Sequence, residues 1–167
     1  MKPPPARIET ERLVLRTYEE RDIPAFTELL ESSREHYRFI SFFYEEDPAD
    51  RVRRSRQQFL SGESFPYVAF AGDRLIGGCG LLPRIGPGAL EIGYHVGADA
   101  TGHGYATEMA ATLIDVAFDV CGVERIELHI DPENTASIRV AERLGVPFER
   151  MSDVGIYTLT RELRQRA

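Results

Sequence analysis

Between Leu90 and Val120 the hydrophobic pattern changes period across a pair of glycines, and that change limits the folds open to the chain. Upstream, Leu90, Ile92, Tyr94 and Val96 alternate with Glu91, Gly93 and His95, the two-residue repeat of a strand with distinct faces. Downstream, Ala106, Met109, Ala110, Leu113, Ala117 and Val120 recur at helical spacing, and Gly122 closes the run. Gly102-His103-Gly104 joins the two. A strand, a glycine turn and a helix start leave several backbone N–H groups unpaired at the positive end of a helix dipole, which suits phosphate. The P-loop pattern fails because no Lys-Ser or Lys-Thr follows the turn. The dinucleotide fingerprint fails because Thr107 stands where its third glycine belongs and no βαβ unit precedes it. Two glycines alone favour a plain turn before a helix over an anion cradle.

The remaining segments read as a mixed set of strands and helices. Arg12 to Thr17 alternates as a first strand, and Asp22 caps a helix carrying Ile23, Phe26, Leu29 and Leu30, with Pro24 in its first turn. Pro48 to Leu60 reads as a second helix with a narrow apolar stripe. Phe65–Ala71 and Leu75–Leu82 form a hairpin through Gly72-Asp73. Arg125–Ile130 is a strand, Asn134 caps a short helix that ends at Gly145, and Phe148–Arg150 and Ile156–Thr160 are two last short strands before a charged tail. This is one α/β domain over 1–167, with 1–7 expected as a flexible, proline-stiffened lead.

Composition removes several classes. The net charge of −7 lacks the basic footprint of a nucleic-acid binder. No stretch approaches the roughly 18 apolar residues of a membrane span. Cys79 and Cys121 are far apart in apolar contexts and read as buried thiols, and the N-terminus has no apolar leader, so a cytoplasmic protein is expected. The four histidines are scattered, and no metal site is expected.

A second motif follows about thirty residues after the first: Asp131-Pro132-Glu133-Asn134-Thr135-Ala136-Ser137-Ile138-Arg139-Val140, then Leu144-Gly145. Together with Gly102-His103-Gly104-Tyr105-Ala106-Thr107-Glu108, it resembles the GNAT acetyltransferase superfamily, in the branch of ribosomal-protein N-terminal acetyltransferases. Ile8 to Arg16 matches that branch's opening strand, so the resemblance runs from about Ile8 to Leu163. It implies a predominantly antiparallel sheet splayed between its fourth and fifth strands, with about four helices and acetyl-CoA in the split. It assigns the pyrophosphate to the N–H groups of Gly102, His103, Gly104, Tyr105, Ala106 and Thr107, and the pantetheine to the backbone of His95 and Val96. It gives Asn134 a bond to the cofactor arm and makes Ser137 a donor to the departing thiolate. Two departures stand out: Asp99 replaces the usual Arg or Gln before the turn and is expected to face solvent, and Thr101 replaces a common Trp. The stretch from Glu149 to Gly155 is also short for the branch, which leaves the last hairpin's pairing open.

Acetyl transfer from a thioester to an amine needs a proton acceptor, donors to the oxyanion and stabilisation of the thiolate. Glu91, on the strand beside the cofactor, is the candidate base, and the resemblance supports it; a solvent-facing strand carboxylate is the competing role. His95 fits either an alternative base or a half-buried cleft residue. Asn134 fits an ordinary helix cap as well as a cofactor contact, and Ser137 an ordinary helix-surface residue. Tyr37, Phe39 and Phe42 lie in an aromatic passage suited to the acceptor wall or to core packing. The expected partners are acetyl-CoA and a primary amine, a peptide N-terminus or a small molecule, in a monomer or homodimer. An idle acyl-CoA-binding module of the same fold is the alternative; Glu91 and Ser137 favour an enzyme.

Overall fold

The computed structural model describes residues 1–167, the side chains of Ser41 and Phe42 excepted. Eight strands form one sheet: β1 (Arg7–Glu9), β2 (Val14–Arg16), β3 (Phe65–Ala71), β4 (Arg74–Leu82), β5 (Ala89–Val96), β6 (Arg125–Ile130), β7 (Phe148–Met151) and β8 (Gly155–Thr160). Their spatial order is β1-β2-β3-β4-β5-β6-β8-β7. Every neighbouring pair is antiparallel except β5 with β6. The helices are α1 (Ile23–Ser32), α2 (Pro48–Ser61), α3 (Tyr105–Asp115), α4 (Thr135–Arg143) and α5 (Arg161–Arg166).

Strand alternation divides the core. Phe65, Tyr67 and Ala69 of β3, Leu90 and Ile92 of β5, and Ile126 and Leu128 of β6 bury themselves with Met109 and Leu113 of α3 and Ala141 of α4. Val68 of β3 and Leu75 of β4 point the other way, to Phe26 and Leu30 of α1 and Val52 of α2. Met109 and Leu113 are fully buried, and each such side chain contributes about 1.5–3 kcal/mol. Cys79 and Cys121 are buried free thiols.

Five expectations are corrected. The opening strand is a hairpin: Arg7–Glu9 pairs with Val14–Arg16, closed by the Thr10 N–H to Leu13 C=O bond at 2.8 Å. The lead is docked rather than free, since Tyr67 Oη donates to the Pro5 carbonyl at 2.6 Å. Asp22 does not cap α1 with its side chain. Arg16 holds both its oxygens, at 2.7 and 2.8 Å, and the Glu19 N–H donates to it, so it caps the preceding 3₁₀ turn instead. The helix after the glycine turn leaves α geometry at Val116, where a π turn ends with the Cys121 N–H on the Val116 carbonyl. The charged tail forms a fifth helix, capped by Thr160 and tied by Arg164 to Asp115 and Asp119. The last hairpin forms despite its short connection, with a register shift between Phe148 and Arg150.

Candidate active site

The parallel pair β5 and β6 meets at only three rungs, Ala89 with Arg125, Leu90 with Ile126 and Glu91 with Glu127. Beyond them β5 continues to Val96 and β6 to Ile130 without pairing, while each keeps its outer partner. The sheet therefore opens, and a cleft of roughly 450 Å³ occupies the gap, lined from β4, β5, β6, α2 and the start of α4. Alternation on β5 gives the cleft two sides. Glu91, Gly93 and His95 look toward α1 and α2; Ile92, Tyr94 and Val96 look toward α3 and α4.

On the α3 side stands the glycine turn. Gly102 and Gly104 adopt φ of +82° and +77°, a left-handed backbone that side chains with a Cβ resist. Gly104 is the N-cap of α3 and brings no capping side chain. The first bond into the helix is from the Glu108 N–H to the Gly104 carbonyl, so the N–H groups of Tyr105, Ala106 and Thr107 lack an intrahelical acceptor. The His103 ring stacks on Tyr105, and the Arg12 guanidinium covers the same ring at 4.8 Å. Glu108, an acid in the first turn, opposes any anion there. Burial works against its charge, but Thr10 and the main chain and guanidinium of Arg12 outweigh that and hold its carboxyl below the ordinary range. Its charge is thus offset within the protein. Asp99 is exposed, as expected.

Across the cleft, Asn134 caps α4 by accepting the Ser137 N–H at 3.2 Å, and its amide NH₂ makes no hydrogen bond among the described residues. Ser137 is no free surface hydroxyl. Its Oγ lies 2.8 Å from Tyr94 Oη, a bond that joins the two arms of the opened sheet. Burial pushes the Tyr94 phenol up to about 12, partly offset by this bond, so the phenol stays protonated and able to donate.

The α1–α2 side carries the carboxylates. Glu91 is only 6% exposed, which removes the solvent-facing role. Arg84 donates to its two oxygens at 3.1 and 2.7 Å, and His129 Nδ1 lies 3.4 Å from Oε1. His95 is placed in the cleft wall with Phe43 against its ring at 4.8 Å. Burial, with the nearby Arg51 and His36, lowers its pKa to about 3, so it is neutral and a weak base at physiological pH. Tyr37 is buried in the core and bonds His95 Nδ1 at 2.9 Å, so it supports the wall from behind instead of forming it. Phe39 lines the cleft. The Phe42 side chain lies outside the described residues. Between Glu91 and His95, Gly93 keeps the floor clear: a Cβ there would meet nothing within 4 Å.

Tyr94, Arg84, Glu127 and His129 were not singled out from sequence. Glu127 and His129 are two apart on a strand and so share a face, but the parallel register that sets them beside Glu91 has no local signature.

Residues 12–147 match the family model described as an acetyltransferase (GNAT) domain. This chain belongs to the GNAT acetyltransferase family. It is 32% identical to an uncharacterized N-acetyltransferase, p20, of Bacillus licheniformis over 141 residues, covering 81% of this chain and 79% of that one. Its fold is similar to that of the ribosomal-protein-S5-alanine acetyltransferase of Vibrio fischeri, with a TM-score of 0.77 at 18% identity, covering 95% and 98% of the two chains. It is likewise similar to RimL, a ribosomal alpha-N-protein acetyltransferase solved with coenzyme A, with a TM-score of 0.82 at 19% identity and coverage of 94% and 99%. At such identities the likeness is one of fold. No helix of this acetyltransferase is long and apolar enough to cross a membrane among the described residues.

Proposed function

We propose that the enzyme transfers the acetyl group of acetyl-CoA directly to a primary amine while both substrates occupy the cleft. The observation that carries this reading is the parting of β5 and β6 after three rungs, which gives one cleft two chemically different sides. The co-substrate is acetyl-CoA: the open N–H groups of Tyr105, Ala106 and Thr107 suit its pyrophosphate, and the unpaired inner edge of β5 near His95 and Val96 suits its amide-bearing arm. Backbone N–H groups of that edge would hold the oxyanion as the amine attacks the thioester carbon. Ser137, held by Tyr94, donates to sulfur as the carbon–sulfur bond breaks. Glu91 accepts the amine's proton, because it is the cleft-lining carboxylate of β5.

The test is thiol release from acetyl-CoA against a panel of peptide N-termini, polyamines and amino sugars. Glu91→Gln should lower kcat by about 100-fold or more near neutrality, and by less at high pH, where the amine loses its proton unaided. An unchanged pH–rate profile removes Glu91 as base. Coenzyme A binding without thiol release against any amine returns the idle-module alternative.

A further inference from the structure

Two buried carboxylates face the same side of the sheet at the last rung before it opens: Glu91 and Glu127, 6% and 3% exposed. Like charges this close on adjacent strands are unfavourable. Each has its own cation, Arg84 on Glu91 and, through Nε at 2.9 Å, Arg125 on Glu127. The charges therefore balance without a third cation. Yet His129 stands between them, with Nε2 2.9 Å from Glu127 Oε1 and Nδ1 3.4 Å from Glu91 Oε1. Its ring lines the cleft and is partly open to solvent. The three do not form a metal-holding group among the described residues.

The hydrogen bonds set the direction of the imidazole. Burial opposes the charge on Glu127, but His129 and Arg125 outweigh it and hold its carboxyl below the ordinary range. Of the two contacts only the one at Nε2 is a hydrogen bond, and an ionised carboxylate only accepts, so the neutral ring carries its proton on Nε2 and turns the Nδ1 lone pair toward Glu91. Resting on the reading of Glu91 as base, we propose that His129 is the exit for the amine's proton: Glu91 takes it, passes it to Nδ1, and the imidazolium releases it to solvent while Glu127 fixes the ring. The N–H bond of the amine breaks as the proton joins the Glu91 oxygen; the proton then enters and leaves the ring at Nδ1, the nitrogen that Glu127 does not hold, so Glu91 and His129 are both restored. Glu91 from β5, Glu127 and Arg125 from β6 and Arg84 from the turn after β4 surround the ring, and Arg51 of α2 and Asp131 line the same cleft.

The experiment measures kcat at saturating acetyl-CoA and amine for wild type and His129→Gln, at rising imidazole buffer concentration and constant ionic strength. The variant should be slower by roughly tenfold or more in dilute buffer, with KM for acetyl-CoA unchanged, and should recover as imidazole carries the proton instead. Wild-type kcat in dilute buffer, or a slow variant that ignores buffer, overturns the relay. Nitrogen-15 NMR of wild-type protein gives an answer without turnover and without a folded variant: the neutral His129 ring should carry its proton on Nε2, and a proton on Nδ1 overturns the relay. Wild-type protein that transfers to no amine counts against the proposed function, while the NMR result still decides the placement of His129.

Discussion

His95 should make the fold sensitive to mild acid, well before any carboxylate matters. Its Nδ1 bonds the Tyr37 hydroxyl, its ring meets Phe43 and Tyr37 edge-on, and a Cβ at Gly78 would come within 2.8 Å of Nε2. Burial raises the Tyr37 phenol above its ordinary value, so Tyr37 donates and Nδ1 accepts. An imidazolium there loses that bond and its hydration together, and the pKa falls to about 3. In the unfolded chain it is about 6.5. Between those values the unfolded state binds more protons, so the stabilisation is complete above about pH 6.5 and drains away as pH falls toward 3. From pH 7 to pH 5 the unfolded histidine titrates over about 1.5 pH units, which at 1.36 kcal/mol each comes to about 2 kcal/mol. Urea unfolding of wild type and His95→Gln at pH 7, 6 and 5 isolates this site, because the other histidines are common to both. Glu108 and Glu127, held low, remain ionised across the window. Wild type should lose about 2 kcal/mol more than the variant. Parallel stability curves would refute the claim that His95 is held neutral by its surroundings.

Three more expectations follow from particular contacts. Gly93→Val should fold with a melting temperature within a few degrees of wild type, since a Cβ there has open space, yet it should block the cleft and abolish thiol release at ordinary substrate concentrations; activity near wild type would show that Gly93 does not floor the cleft. Tyr94→Phe and Ser137→Ala should each lower kcat by roughly tenfold and, sharing one hydrogen bond, should fail to add in the double variant, as kinetics of all three will show. Asp22→Ala leaves the half-buried Arg16 guanidinium without its bidentate acceptor and should cost about 3 kcal/mol in chemical denaturation, with co-substrate affinity unchanged.

Long periodic segments were legible in the sequence: α2, the β3–β4 hairpin, β5 and β6 follow their hydrophobic repeats because those repeats are what the sheet and helices bury. Local rules failed where a distant partner competed. Asp22 has the chemistry and position of a helix cap, but Arg16 claims its carboxylate more strongly than a backbone N–H does. Tyr37 carries an aromatic signal common to acceptor walls and cores, and its burial and its bond to His95 separate the two. The glycine turn and the Asn134 cap were legible as local backbone geometry, because a left-handed turn and a helix start demand particular residues there. Glu127 and His129 were not, because their meeting with Glu91 comes from the register of a parallel pair, which no short stretch of sequence encodes.

The three-rung seam between β5 and β6 has a consequence for the protein's life outside catalysis. An ordinary sheet has exposed strand edges only at its margins, and chains guard those against pairing with other chains. Here Ile92–Val96 and Leu128–Ile130 form two further edges in the middle of the sheet, rich in β-branched and aromatic residues. A ligand whose arm lies along the β5 edge would shield it as a neighbouring strand does. Aggregation on heating or during concentration should therefore decline when coenzyme A is added, independently of any acceptor amine.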